Sequence, residues 1–473
     1  SSNTQNLNLQ YSQQINDKTL FNLRYNKKSS NGFLRLGAYA LNDVNAVILR
    51  KAKFYSSKFD FNYSNYTWNE SGGITTDTLL DSIIAIITPV YKTDAETKVK
   101  RADIRWSNYL NFSKDSILKT GVFQKSRYEL VNREYRENSP YLNLDTFFID
   151  SNSTRDQYQT ASIKNGIGYF FSSKFFEINA SANHRYWRNQ NLNRYFDTTE
   201  IFLASELYAG FEKFNLSNSF YLNLIGATGE IKNYTKLNVD FPWFNLKANL
   251  DFLNVYPTPY QREHNANNYQ WKLNDLSAQQ IINLGGEASL KTKINLGGGV
   301  NFNTINNGLF LIDGQWRQDT LNTISTGNIE LFADYNLWKF GFHHVVDLNI
   351  NSNNYAFQPT FTSGNRINFR TSIFKAKKLK LNLGIDLSYI GPYNNFLYIP
   401  ELSTYSISTK NTSSGGDFFL LHAFAAIDID PFRIYIRAEN VSNLWNSAKI
   451  RVDANYPIMP LYLKMGLSWD FFN

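Results

Sequence analysis

Segment after segment of this chain alternates strictly between apolar and polar residues over stretches of roughly 9 to 13 positions, and no helix-period face of comparable strength competes with it. Over 461–472, one parity reads Leu461, Leu463, Met465, Leu467, Trp469 and Phe471; the other reads Tyr462, Lys464, Gly466, Ser468 and Asp470. The same split recurs at Leu379, Leu381, Leu383, Ile385 and Leu387 against Lys380, Asn382, Gly384, Asp386 and Ser388. It appears again at Phe432, Ile434 and Ile436 against Arg433, Tyr435 and Arg437, and at Phe21, Leu23 and Tyr25 against Asn22, Arg24 and Asn26. Side chains that change face at every residue belong to half-buried strands, so the chain is all-β.

Composition narrows the class. Aromatic residues make up 16% of the chain and charged residues only 19%, too many rings and too few charges for an ordinary soluble surface. With no cysteine, disulfide scaffolds, zinc knuckles, iron–sulfur clusters and thiol nucleophiles are excluded. The net charge is +8, but Lys and Arg are scattered singly, so no nucleic-acid partner is expected. No run of about 18 apolar residues exists to form a membrane-crossing helix.

Strand pairs are joined alternately by short turns, as at Asn16 to Lys18, Ser172 to Lys174 and Asn336 to Lys339, and by long connections near 70–101, 132–160, 257–278, 391–416 and 441–460. This asymmetry predicts a single antiparallel up-and-down transmembrane β-barrel over 1–473, with short periplasmic turns and long extracellular loops, in a bacterial outer membrane. All 11 prolines fall in connections or at strand ends, as a residue unable to donate to a strand ladder must. Aromatic residues crowd the segment ends, as interfacial girdles do. The count is roughly 20 to 22 strands, odd unless the segment 294–316 is split differently or a strand precedes residue 1. A signal peptide is expected ahead of Ser1, which has no leader-like flank, and no plug domain is recognised. A soluble sandwich, solenoid or propeller is the rival architecture, disfavoured by the near absence of charge on the apolar parity.

A barrel of this size encloses a lumen too wide for side chains to fill. The polar parity therefore defines the candidate lining: Arg370, Lys380, Asp386, Arg433, Arg437, Glu439, Lys464 and Asp470, with Arg433, Arg437 and Glu439 as a candidate constriction. The two signs nearly balance, which fits either a weakly selective polar pore or a paired network bracing a blocked lumen. The apolar stretch from Ile74 to Val90 reads either as a loop folding inward or docking a partner, or as a short element packed over the rim. The five histidines, His184, His264, His343, His344 and His422, carry no metal-ligand or triad spacing, so no metal, cofactor or enzyme activity is expected.

Several stretches resemble the putative porin family of Bacteroidota outer membranes. They are YNKKSSNGFL at 25–34, YSSKFDFNYSNYTWNESGGI at 55–74, YPTPYQREHNANNYQWKL at 256–273, YIRAENVSNLW at 435–445 and YPIMPLYLKMGLSWDFFN at 456–473. In the third, Asn268 stands where the family commonly has His. The resemblance implies passive or weakly selective diffusion of small solutes. It also implies that the final strand, with Leu467, Trp469, Phe471 and Phe472, is the signal read by the barrel-assembly machinery. The competing expectation is a structural or accessory barrel with a blocked lumen, partnered by other outer-membrane or lipoprotein subunits of a larger assembly or secretion machine.

Overall fold

The computed structural model describes the chain apart from residues 1–3, 33, 35, 76–87, 114–117, 140–145, 193, 353–357, 375–377, 395, 410–414, 430, 446–450, 452, 454 and 470–473. One antiparallel sheet of 21 strands runs from Thr4–Asn16 to Tyr462–Trp469, within the expected range. Each strand pairs with its sequence neighbours in the sheet. Leu379–Ile390, for example, sets Asp386 opposite Arg366 on one side and His422 on the other. Among the described residues the two outermost strands each pair on one side only.

The expected asymmetry of connections is present. At one end lie turns of a few residues, stabilised locally: the Asn16 carboxamide oxygen accepts from the Lys18 N–H at 3.0 Å, an Asx turn. At the other end lie the long loops. The segment 294–316 resolves as a sheet strand, Ile294–Asn306, followed by a loop hairpin, Gly308–Ile312 with Gln315–Asp319. Most of 74–90 lies outside the described residues; its ends, Ile74 and Val90, form an antiparallel bridge.

The two faces of the sheet are inverted relative to a soluble protein. On the apolar parity, Ile167, Val300 and Leu463 are at least 60% exposed, while on the polar parity Asp103, Glu200 and Asn223 are at most 3% exposed. Dozens of exposed Leu, Ile, Phe and Trp side chains would be prohibitive in water at about 25 cal/mol per Å². They are the ordinary outer surface of a sheet solvated by lipid tails.

Strand length is not uniform. The six strands from Tyr55–Glu70 to Arg194–Phe211 have 16 to 19 residues, whereas most of the others have 8 to 14. At about 3.3 Å per residue and a tilt of about 40°, a 19-residue strand rises roughly 48 Å, against an apolar band of about 25 Å. The outward parity records where lipid stops. On Lys119–Glu137 it passes from Val122, Tyr128 and Leu130 to Asn132, Glu134 and Arg136; on Tyr55–Glu70, from Phe59, Phe61 and Tyr63 to Asn65, Thr67 and Asn69. The loop-side ends of these strands therefore stand clear of the membrane as a hydrophilic wall.

Candidate functional site

Inside the sheet the inward parity forms ladders of paired charge. Asp386 accepts from Arg366 at 2.5 Å and from Arg437 at 2.9 Å; Arg437 also reaches Glu439 at 3.3 Å, and Glu439 holds Lys464 at 2.7 Å. The chain of contacts crosses five neighbouring strands, from Phe361–Ile373 to Tyr462–Trp469, with His422 between, its Nδ1 accepting from the Asn440 N–H at 3.0 Å. A second ladder joins Arg105, Asp103, Arg127, Glu129 and Arg101 on Ala95–Asn111 and Lys119–Glu137. The inward charges are compensated strand to strand, with one cation in excess on each ladder.

Four of the lining residues expected from parity, Asp386, Arg437, Glu439 and Lys464, thus come together. Arg433 does not join them: it pairs with Asp428 at 3.1 Å, four residues and a full two inward positions nearer the turn, so the expected triad with Arg437 and Glu439 is divided. Lys380 sits in register with Asp428 and Ser372, and Arg370 with Asn382, both toward the turn end. Leu467 and Trp469 lie on the exposed apolar side of the last strand, the Trp469 ring 4.8 Å from Phe432. Asp470, Phe471 and Phe472 lie outside the described residues.

What parity could not reveal is a cap over the loop end. The hairpins Gly308–Ile312 with Gln315–Asp319 and Phe396–Ile399 with Thr404–Ile407 join through Ile312 and Ile407 into a four-stranded sheet. Beneath it Trp271, Leu311, Ile399 and Leu402 form a small apolar core, so the described residues of loops 256–278, 307–323 and 391–417 pack together. The 256–278 loop opens on a capping box, in which Thr258 Oγ1 accepts from the Gln261 N–H and the Gln261 side chain accepts from the Thr258 N–H.

The cap is fastened to the inward face of the tall wall. Arg133 donates to Ser403 Oγ at 3.0 Å and to the carbonyl oxygens of Pro400 and Glu401 at 3.1 and 2.5 Å. Lys92 bridges Glu137 at 3.0 Å and Glu401 at 2.6 Å, all three buried. Tyr398 donates to Glu70 at 3.1 Å. Buried Asn267 accepts from the Ile149 and Asp150 N–H groups and donates to Thr154 Oγ1, while its own N–H goes to Asp156 at 2.7 Å. These bonds connect a loop between strands late in the sheet to strands near its beginning, so the sheet curls until its distant parts face one another across a mouth.

Electrostatics above the membrane reflect that burial. Desolvation lifts the Glu70 carboxyl to about 7 despite bonds from Thr97, Trp68 and Tyr398, and lifts Asp156 to about 6. His264, buried beside Asn191 and Trp271, is pushed down to about 3 by desolvation, reinforced by the Arg133 charge. It is a neutral core histidine.

The resemblance motifs converge on this mouth. The Glu70–Ser71–Gly72–Gly73–Ile74 stretch needs glycine at 73, where φ is +86° and an added Cβ would lie 2.6 Å from the Asn455 carbonyl oxygen; Ile74 N–H donates to that same oxygen at 3.0 Å. Asn440, within RAENVSNLW, donates to the Met459 carbonyl at 2.7 Å and accepts from Ser442. Asn267, Asn268 and Trp271 of the 256–273 motif are the cap's own fasteners and core.

An antiparallel up-and-down sheet with an apolar outer face, a charged, paired inner face and loops folded over one end defines a protein of the outer-membrane β-barrel class. The family model described as "Putative porin" matches residues 1–473. The chain belongs to that family, and its place is the bacterial outer membrane. No curated protein matches the chain in sequence. In fold it is similar to the siderophore receptor PirA from Acinetobacter baumannii, at TM-score 0.67 and 9% identity, over 99% of this chain and 78% of that one. The copper transporter OprC is similar at TM-score 0.67 and 9% identity, over 100% and 80%. The ferric enterobactin receptor PfeA of Pseudomonas aeruginosa is similar at TM-score 0.68 and 9% identity, over 98% and 77%.

Proposed function

We propose that the sheet closes into a transmembrane barrel through which small polar solutes diffuse passively and with weak selectivity, access being set by the loop cap. The observation that carries this reading is the inward face itself: charges of both signs, paired along the wall, line a space too wide for side chains to fill. Family membership and similarity to receptor barrels of comparable size support closure and transport. It is a transport role without catalysis. Assembly through the final strand, read from Leu467 and Trp469, is part of the same proposal.

The buried fastening of the cap favours a second reading: a structural or accessory barrel, its mouth blocked, serving a larger outer-membrane complex with other membrane or lipoprotein subunits. Single-channel recording of the purified protein in a planar bilayer separates the two. Stepwise conductance that persists after co-purified proteins are removed supports the pore. Silence with confirmed insertion, relieved when the cap is unfastened by Arg133→Ala, supports the blocked barrel.

A further inference from the structure

Between the tall wall and the cap lies a cleft of about 510 Å³, open to the outside, formed by the ends of the strands Phe176–Asn191 and Arg194–Phe211 and by the loop 256–278. Asn189 is one of its walls and is 4% exposed. Its Oδ1 accepts from Tyr158 at 3.0 Å and from Thr160 at 2.7 Å, which fixes the amide and leaves Nδ2 buried with no protein acceptor. Nε of Arg262, another lining residue, is likewise buried without an acceptor. Two held donors with nothing to donate to cost about 1–3 kcal/mol each unless an acceptor arrives.

The rest of the lining describes that acceptor. Arg194, Arg262 and Lys272 outweigh Glu263, so the cleft carries excess positive charge. Arg194 and Glu263 pair at 2.5 Å, offering a donor and an acceptor side by side, as a hydroxyl-bearing ligand uses. Phe196, 45% exposed and on the same parity as Arg194, presents a ring at the rim, a surface suited to the C–H face of a sugar.

We propose that this cleft is an entry site for sugar acids, the carboxylate taken by Arg262 and Lys272, the ring hydroxyls by Asn189 and the Arg194–Glu263 pair, and the ring face by Phe196. The proposal rests on the transport reading above for its meaning as an entry site, although the cleft stands on its own geometry.

The test is titration of the full-length protein in detergent with digalacturonate by calorimetry, alongside cellobiose and tetraglutamate. Saturable digalacturonate binding, weakened at least tenfold in Arg262→Gln and in Lys272→Gln, with cellobiose and tetraglutamate each at least tenfold weaker than digalacturonate, is the expected result. Lys272 is exposed, so its replacement leaves the fold intact, and heat-dependent gel mobility verifies the Arg262 variant. Absence of saturable binding, or equal binding by both variants, overturns the site. Equal affinity for cellobiose overturns the requirement for an anion, and equal affinity for tetraglutamate overturns the sugar. Conductance without digalacturonate binding removes the cleft while the pore stands; binding with a silent bilayer keeps the cleft and removes the pore.

Discussion

Arg133 donates to the backbone carbonyl of Glu401 at 2.5 Å, binding a wall strand to a loop 268 residues further along the chain. The same guanidinium reaches Pro400 and Ser403, so one side chain clamps a whole loop turn. Arg133→Ala strands those buried carbonyl oxygens and is expected to destabilise cap docking by about 2–4 kcal/mol, in the range for charge-assisted bonds lost from a buried site. Limited proteolysis should then cut 391–417 at least tenfold faster with the sheet still folded; unchanged protection would mean that the clamp is dispensable.

Lipid and lumen faces differ in what they tolerate. Leu284, exposed on the apolar parity, should cost about 2–4 kcal/mol when replaced by arginine if it sits near the bilayer midplane. Asn301, on the opposite parity and beside exposed Val300 and Phe302, should accept arginine within about 1 kcal/mol. Equilibrium unfolding from lipid vesicles compares the two, and equal losses would contradict the assigned faces.

Asp386→Asn leaves Arg366 and Arg437 facing each other without the carboxylate that each now shares. If the barrel conducts, its reversal potential in a salt gradient should shift toward anion preference relative to the native protein. A Glu439→Gln variant, which releases Lys464 from its ion pair, should shift it in the same direction. No shift in either variant would place this ladder off the conduction path.

Cap docking should depend on pH with opposite signs at its two ends. His264 stays neutral in the docked cap down to about 3, against 6.5 when exposed, so the open state binds the extra proton. The His264 contribution is therefore complete above pH 6.5 and falls on acidification, by about 1.4 kcal/mol per unit, or roughly 2 kcal/mol at pH 5. Glu70, raised to about 7, works in reverse: its contribution is complete below 4.5 and is lost as pH rises through 7. Asp156, raised to about 6 and holding the Asn267 N–H of the same loop, opposes His264 between pH 7 and pH 5, so hydrogen exchange in 256–278 of an Asp156→Asn variant should accelerate over that range after correction for intrinsic rates, and adding His264→Asn should flatten the acid limb. Glu70→Gln should flatten the alkaline limb measured at Tyr398.

The sheet was legible because alternation survives in nearly every strand, and because lipid contact leaves Leu383, Ile385 and Leu387 apolar wherever Asn382, Asp386 and Ser388 turn inward. Parity also delivered Asp386, Arg437, Glu439 and Lys464 one at a time. It could not deliver their pairing or the partner Arg366, since register between strands is set by turn lengths that periodicity leaves free. The cap was hidden for a different reason. Its strands have three to five residues, too short for a periodic signal, and its fasteners join positions such as Thr154 and Asn267, 113 residues apart. The one local trace was the Thr258–Gln261 capping box, within the 256–273 motif.

The uneven height of the sheet gives the cap its mechanical setting. Because the fastening points, Arg133, Glu137 and Asp156, sit on strand ends whose outward neighbours are already hydrophilic, the cap is anchored above the lipid, as a shutter mounted on a chimney rather than a plug wedged in a pipe. Changes in bilayer thickness or lateral pressure then act on the shaft below these anchor points and not on the anchors themselves.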